Sequence, residues 1–261
     1  MNWRLPQLAI FISLLFTACV PLVTINSISE KFIDTTTSKH YDSDSQIRYC
    51  VSNDDNNLHL NLKTNHPATI AKILRSGLKV YFDKNGKKKK SVYINYPIGS
   101  SQDFQHFQTN GPGGSTSLDL KSLIHSTSIA AEFIHFEKKE SFTTLNPKSN
   151  IQLSITTNET KELVYDLIIP FTEISPNGRA DLFNLSIGIV TGSFDLPVQS
   201  PLENEAVDRS NAGRPTGGMP QQGASSNRAS YGSGRAGGAP HQGYTDLQEE
   251  SKIWFLVGLY H

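Results

Sequence analysis

Two cysteines, Cys19 and Cys50, are the residues of this chain best suited to covalent chemistry. Cys19 follows an apolar stretch, Leu8–Phe16, which is itself preceded by the positively charged Arg4. A charged start, a short apolar run and small residues before a cleavage point are typical of an export signal. Roughly nine apolar residues are too few to cross a bilayer as a helix. We therefore expect residues 1–18 to be a signal peptide.

Thr17 and Ala18, directly before Cys19, resemble the lipobox of bacterial lipoproteins, in which the cysteine is acylated and becomes the new N-terminus. The resemblance implies a Cys19 thiol that carries lipid, with palmitate among the acyl chains, and a stable membrane anchor. No Asp follows Cys19, and by resemblance to Gram-negative sorting rules this implies the outer membrane of the bacterial cell envelope. An ordinary secretory signal with an incidental cysteine is the alternative.

A lipid on Cys19 would leave Cys50 without a disulfide partner, and we interpret Cys50 as a small apolar residue of a strand. The sequence Asp83-Lys84-Asn85-Gly86 matches the opening of a calcium loop, but the four lysines Lys87–Lys90 follow where acidic ligands are needed. A hairpin turn is the better interpretation. The lysine run itself is either a site for acidic glycans or phospholipid head groups, or a solvated loop tip.

Motifs for catalysis and metal binding are missing from the sequence. The eight histidines form neither H-x-H nor H-E-x-x-H, and no G-x-S-x-G, Walker or dinucleotide fingerprint occurs. We therefore assign no catalytic residue, metal or cofactor. With 24 basic and 24 acidic residues the formal net charge is zero, which does not favour nucleic acid as a partner.

Residues 19–46 are rich in Ser, Thr and Asp, and we expect a tether there with at most one short strand, near Lys31–Ile33. Alternating apolar and polar residues then predict a series of strands. The predicted strands are Arg48–Ser52, Asn57–Thr64, Leu78–Asp83, Ser91–Tyr96, Ile129–Phe136, Ile151–Thr157, Leu163–Ile169, Leu182–Val190 and Lys252–Tyr260. Apolar residues at helical spacing predict a helix over Ala68–Ser76 and permit a second over Leu118–His125.

The glycine-rich segment Pro197–Tyr244 is too poor in apolar residues to form a core, and we predict that it is disordered. Because a strand follows it, we expect it to be a long loop inside the domain rather than a tail. The sequence thus predicts an all-β fold, an antiparallel β-sandwich of about nine strands with one short helix. Residues 47–261 would form this single domain.

Three motifs resemble family 9 carbohydrate-binding modules and related DOMON-like domains. They are Ser52–Leu60 (SNDDNNLHL), Gly77–Asp83 (GLKVYFD) with Gly86, and Tyr165–Phe171 (YDLIIPF). The resemblance implies a β-sandwich, and in the sugar-binding members a sugar ring held between tryptophans. Haem-binding relatives use Met and His ligands, but Met219 in the glycine-rich segment is the single Met outside the signal, so we expect no haem.

The tryptophans of this chain are Trp3, in the signal, and Trp254, inside the last strand. We therefore expect an aromatic platform, if there is one, to come from tyrosines such as Tyr93 or Tyr96. The ending Ser251–Phe255 (SKIWF) after a glycine-rich loop also resembles lipoproteins of the Bacteroidetes. This resemblance supports a location in the cell envelope and a last strand that follows a long loop.

The hypothesis that joins these observations is a lipid-anchored, extracytoplasmic β-sandwich without catalytic activity that binds a ligand or partner. Its partners would be the membrane, through the acyl chains, and a glycan or an envelope protein. A hydrolase of the envelope is one alternative. An outer-membrane β-barrel or structural protein is another, since the strands alternate and the last one ends in aromatic residues. The oligomeric state cannot be predicted from these patterns.

Overall fold

A computed structural model shows an all-β sandwich, as the alternation of the sequence predicts. It describes residues 21–29, 39–98, 120–127, 129–146, 150–194 and 246–260. Within these residues thirteen strands form one seven-stranded and one six-stranded sheet, and neither sheet closes on itself.

The seven-stranded sheet contains both the first and the last strand of the described chain. Its spatial order is β1 (Val23–Asn26), β13 (Lys252–Gly258), β12 (Ser186–Thr191), β6 (Leu78–Asp83), β7 (Val92–Tyr96), β8 (Ala130–His135) and β9 (Lys138–Thr143). The six-stranded sheet has the order β10 (Gln152–Thr157), β11 (Leu163–Pro170), β5 (Asn57–Thr64), β4 (Ile47–Asn53) and β2 (Ile28–Ser29), with β3 (His40–Asp42) also paired to β4.

The core lies between the two sheets and is built from alternate residues of each strand. Leu58, Leu60 and Leu62 of β5 are at most 1% exposed, while the residues between them face outward. Phe255 of β13, in the seven-stranded sheet, stacks on Tyr49 of β4, in the six-stranded sheet, with ring centroids 5.0 Å apart. The two sheets are therefore held together by direct side-chain packing.

Most neighbouring strands are antiparallel, but β1 runs parallel to β13 and β2 parallel to β4. In each parallel pair one strand, β1 or β2, comes from residues 19–46, which the sequence predicts to be a tether. That prediction is wrong for Val23–Asn26, Ile28–Ser29 and His40–Asp42, which are strands of the sandwich. These strands are two to four residues long, too short for alternation to show.

The hairpin of β6 and β7 and the two helices are confirmed. Helix α1 spans Pro67–Ser76 and α2 spans Leu120–Ser126. A short helix, α3 (Phe171–Ile174), follows directly after Pro170, the last residue of β11. Strand β9 is missed by the sequence analysis because its KKES stretch is exposed on both faces at the sheet edge. No helix of the described residues has the length and apolarity needed to cross a bilayer.

Several predictions fall outside the described residues. They are the signal peptide 1–18, the acceptor Cys19, the possible strand Lys31–Ile33 and the disordered loop Pro197–Tyr244. These stay predictions. The last strand is nevertheless a member of the sandwich, because β13 pairs with both β12 and β1.

Tyr165 places a hydroxyl in the core that has no hydrogen-bond partner among the described residues. The residue is 0% exposed, and burial raises the pKa of its phenol well above the ordinary value. Its ring lies 5.9 Å from that of Tyr96, whose own hydroxyl is hydrogen bonded to the side chain of Thr144. A buried polar group without a partner lowers stability, since it has lost its bonds to water.

We expect Tyr165→Phe to leave the free energy of unfolding unchanged or to raise it by about 1 kcal/mol, because the substitution removes an unsatisfied hydroxyl and keeps the ring. Tyr96→Phe is the matched control and should cost about 1 kcal/mol, since it removes a hydroxyl that has a partner. Urea unfolding of the full chain measures both. A clear loss of stability in Tyr165→Phe would show that its hydroxyl is bonded.

Candidate functional site

Of the residues singled out in the sequence, Cys50 lies where it was expected, in strand β4. Its thiol is 7% exposed, and burial raises its pKa, although Lys39 and Lys63 act in the opposite direction. A raised pKa keeps the thiol protonated and unreactive. Cys50 is therefore a packing residue of the strand, and it contributes no chemistry to a site.

The sequence Asp83-Lys84-Asn85-Gly86 is a hairpin turn, as predicted. The Asp83 carboxylate is 4% exposed and accepts the backbone N–H groups of Asn85, Lys87 and Lys89 at 3.1, 2.7 and 3.0 Å. Its oxygens are thus used to organise the turn. Groups of three or more potential metal ligands do not occur among the described residues.

The outer face of the seven-stranded sheet carries a line of aromatic side chains. The strand register places Trp254 opposite Gly188, Gly188 opposite Tyr81, and Tyr81 opposite Tyr93. Residues that are paired across neighbouring strands point to the same face. Trp254, Tyr81 and Tyr93 therefore form one continuous line across four strands, which we call the aromatic row. Ile134 of β8 continues the line beyond Tyr93.

Gly188 makes this row possible because it has no side chain. A Cβ atom at position 188 would lie 2.4–2.6 Å from three atoms of the Trp254 ring. The indole therefore occupies the space that a side chain at 188 would fill. From there it stacks on Tyr81, with centroids 5.9 Å apart and ring planes inclined by 17°.

The other end of the row is formed by Tyr81 and Tyr93, whose ring centroids are 5.1 Å apart. Tyr81 is 7% exposed because it is covered on both sides, whereas Trp254 and Tyr93 are partly open to solvent. Burial raises the pKa of the Tyr81 phenol, and Tyr93 and Glu250 raise it further. The row thus offers two accessible rings at its ends and a neutral ring between them.

The expectation about the aromatic platform is corrected in two respects. Tyr93 does lie on the outer face, but Tyr96 is 5% exposed and points into the core. Trp254, which we did not expect to contribute, is the largest ring of the row. The signal was present in the sequence: Ile253, Phe255 and Val257 alternate as buried residues, so the residue between the first two must face outward.

A second line of side chains runs beside the aromatic row on the same face. It joins Lys252, Val190, Lys79, Asn95 and Glu132 through their strand pairings. We call it the polar row. It lies two residues along each strand from the aromatic row, which is about 7 Å.

The ends of the polar row carry ion pairs. Glu132 Oε1 lies 2.5 Å from Lys139 Nζ, and Glu250 Oε2 lies 3.1 Å from Lys252 Nζ. The lysines of these pairs are 60% and 54% exposed, so the pairs add little to stability. Their relevance is that both carboxylates already have a cationic neighbour.

Two of the cavities that the described residues form lie elsewhere. One, of about 600 Å³, lies beside β5 and β10 and is lined mainly by amide and aliphatic side chains such as Asn57, Gln152 and Ile168. The other, of about 430 Å³, contains Lys72, which is 4% exposed and donates to the Glu249 carbonyl at 3.1 Å and to Ser251 Oγ at 2.8 Å.

Lys72 is the chemically most unusual residue of these cavities. Burial lowers its pKa, while Asp246 and Glu249 act in the opposite direction. Its two hydrogen bonds fasten helix α1 to the residues that lead into β13. The lysine therefore has a structural task. The same cavity also brings a second basic group next to a hydroxyl, since His66 Nδ1 lies 3.1 Å from Thr69 Oγ1, and the Thr69 hydroxyl donates to the Ser45 carbonyl at 2.7 Å.

Comparisons with protein-family models, with curated proteins and with solved structures gave no match.

The dependence of the row on Gly188 can be tested directly. We expect Gly188→Ala to displace the Trp254 ring, and so to shift its fluorescence to longer wavelength and to cost about 1–3 kcal/mol of stability. A Trp3→Phe background makes Trp254 the one tryptophan of the chain. In the control, Gly188→Ala is combined with Trp254→Ala, and the stability cost should largely vanish because nothing remains to clash. An equal cost in both backgrounds would contradict the described contact.

Proposed function

We propose that this chain is a lipid-anchored, extracytoplasmic β-sandwich that binds glycans on the aromatic row and does not cleave them. The observation that carries the proposal is the alignment of Trp254, Tyr81 and Tyr93 on the outer face of one sheet. The motif resemblance to family 9 carbohydrate-binding modules points to the same ligand class. The lipobox resemblance at Cys19 supplies the anchor.

Aromatic rings suit sugars because a pyranose ring has polar hydroxyls at its edge and C–H groups on its faces. A flat π-face packs on such an apolar face and removes it from water. Trp254 and Tyr93 keep part of their surface exposed, so they are open to a ligand. Soluble proteins seldom leave grouped aromatic rings on the surface without a binding role.

The length of the row fits an oligosaccharide rather than a single sugar. The ring centroids of Trp254 and Tyr93 lie 5.9 and 5.1 Å from that of Tyr81, so the two outer rings are at most about 11 Å apart, roughly the length of two sugar rings. The polar row runs parallel to it, and its Lys79 and Asn95 can donate hydrogen bonds to the hydroxyls at the ring edges. The face therefore combines stacking surfaces with polar groups, as ligand sites generally do.

Hydrolysis would require two cooperating carboxyl groups, which in glycosidases lie roughly 5–10 Å apart. The carboxylates beside the rows are Glu132, on β8, and Glu250, next to β13. The backbones of these strands are four strand spacings apart, on the order of 19 Å, although the Glu250 carboxylate reaches close enough to β6 to raise the pKa of the Tyr81 phenol. Each carboxylate also has a lysine beside it. The arrangement supports binding without cleavage.

A glycan array with the full chain, purified in mild detergent, tests the proposal. We expect binding to one or more polysaccharides, and a loss of at least about ten-fold in affinity for Trp254→Ala and for Tyr93→Ala, since stacking contributes of the order of 1–3 kcal/mol. Tyr41→Ala is the matched control, because Tyr41 is a tyrosine that is 56% exposed on the other sheet.

Unchanged far-UV circular dichroism in the variants separates a lost contact from lost folding. If no polysaccharide binds, or if Trp254→Ala and Tyr41→Ala bind equally well, the aromatic row is not a glycan site.

The anchor is tested separately by palmitate labelling in a bacterial host. We expect the wild-type chain to incorporate labelled palmitate and to remain with the membrane fraction, and Cys19→Ala to lose both properties, because the acyl chains hold the protein there. Cys50→Ala is the control and should behave as wild type, since Cys50 is buried in β4. Membrane retention of Cys19→Ala would contradict the proposed lipid anchor.

A further inference from the structure

The lysine run Lys87–Lys90 lies next to the aromatic row, because it belongs to the loop that joins the strand of Tyr81 to the strand of Tyr93. The Asp83 carboxylate accepts the N–H groups of Lys87 and Lys89 through the same oxygen, at 2.7 and 3.0 Å. These bonds fold the loop back onto Asp83, the last residue of β6. The run is therefore held at the edge of the row, with its side chains exposed.

Lys90 ends the run and reaches the row itself. Its Nζ atom lies 5.4 Å from the centroid of the Tyr81 ring, within the range of a cation–π contact. Its side chain is exposed, so the ammonium group can still meet a ligand. Lys79 lies on the same face, two residues before Tyr81 on β6, and belongs to the polar row. One lysine therefore stands on each side of the row.

Among the described residues, the acids of this face already have partners. Glu132 is paired with Lys139 at 2.5 Å, and Glu250, which also raises the pKa of the Tyr81 phenol, is paired with Lys252 at 3.1 Å. Asp83 is buried and saturated by backbone donors. The described part of the face thus presents Lys79 and Lys90 beside the rings as positive charges in excess.

We propose that the aromatic row binds acidic polysaccharides, whose sugar rings stack on Trp254 and Tyr93 while their carboxylates meet Lys79 and Lys90. This inference rests on the proposed glycan-binding function and names its ligand class. A polymer of uronic acids carries one carboxylate on the edge of each acidic ring, which is where a lysine beside a stacked ring can reach it. Ammonium–carboxylate hydrogen bonds add both affinity and selection for charge.

The experiment measures the affinity of the full chain for polygalacturonate, alginate and hyaluronan, each beside its own carboxyl-reduced form. Reduction converts each carboxylate to a neutral CH₂OH group and keeps the rings and linkages. We expect at least one acidic polymer to bind about ten-fold or more tightly than its reduced form, and the difference to shrink in high salt.

The variant Lys79→Gln/Lys90→Gln should bind the acidic polymer about as weakly as the wild type binds the reduced one. Lys121→Gln is the control for a simple loss of positive charge, because Lys121 is an exposed lysine of α2, away from this face. It should leave the affinity unchanged. Trp254→Ala should weaken the binding of the acidic and the reduced polymers alike.

The outcomes separate this inference from the function on which it rests. Equal binding of acidic and reduced polymers, lost in both cases by Trp254→Ala, would overturn the preference for acids and leave the glycan site in place. Absence of binding to all three acidic polymers would also overturn the inference, while the glycan array still decides the proposed function. Polyglutamate has no sugar rings and serves as the control for charge attraction alone. If it binds as tightly as the acidic polysaccharides, and if Trp254→Ala weakens the binding of none of these polymers, both the preference for acids and the glycan site are overturned.

Discussion

The register between β12 and β13, which sets Gly188 opposite Trp254, is the constraint on which both faces of the seven-stranded sheet depend. In this register Ile253 and Phe255 enter the core, and Trp254 lies over the one residue of β12 that leaves room for it. A slip by one residue would turn every side chain of β13 to the opposite face. The tryptophan would then be forced into the core and the phenylalanine into water.

Interactions at both ends of β13 hold this register. At its start, Lys72 of α1 fastens Glu249 and Ser251, and at its end the Tyr260 N–H is bonded to Ser27 Oγ and Asn53 Oδ1 at 2.7 and 2.9 Å. The strand also has neighbours on both sides, β1 and β12. The long segment before it costs little extra, since the entropy of loop closure rises only slowly with length. Local contacts thus suffice to fix the last strand.

The sequence was sufficient to predict the long strands, the β6–β7 hairpin and helix α1, because each has a regular apolar pattern or a turn motif of its own. It was insufficient for β9, whose exposed edge position requires no apolar residues. The aromatic row was also out of reach, since it depends on which strands are neighbours. Period-two alternation does place Tyr93 and Tyr96 on opposite faces, but that Tyr81 lies between Tyr93 and Trp254 follows only from the sheet order.

The sandwich begins only a few residues after Cys19, and this determines which part of it the proposed lipid anchor would hold near the membrane. Strand β1 begins at Val23, so three residues lie between it and Cys19, and the four steps of extended chain span at most about 14 Å. Because β1 is parallel to β13 and pairs Val23 with Phe255, this short connection leaves the sheet beside Trp254. A lipid on Cys19 would therefore hold the end of the aromatic row close to the membrane surface. The glycans within reach would then be those that lie against that surface, and this restricts the ligand by position in addition to chemistry.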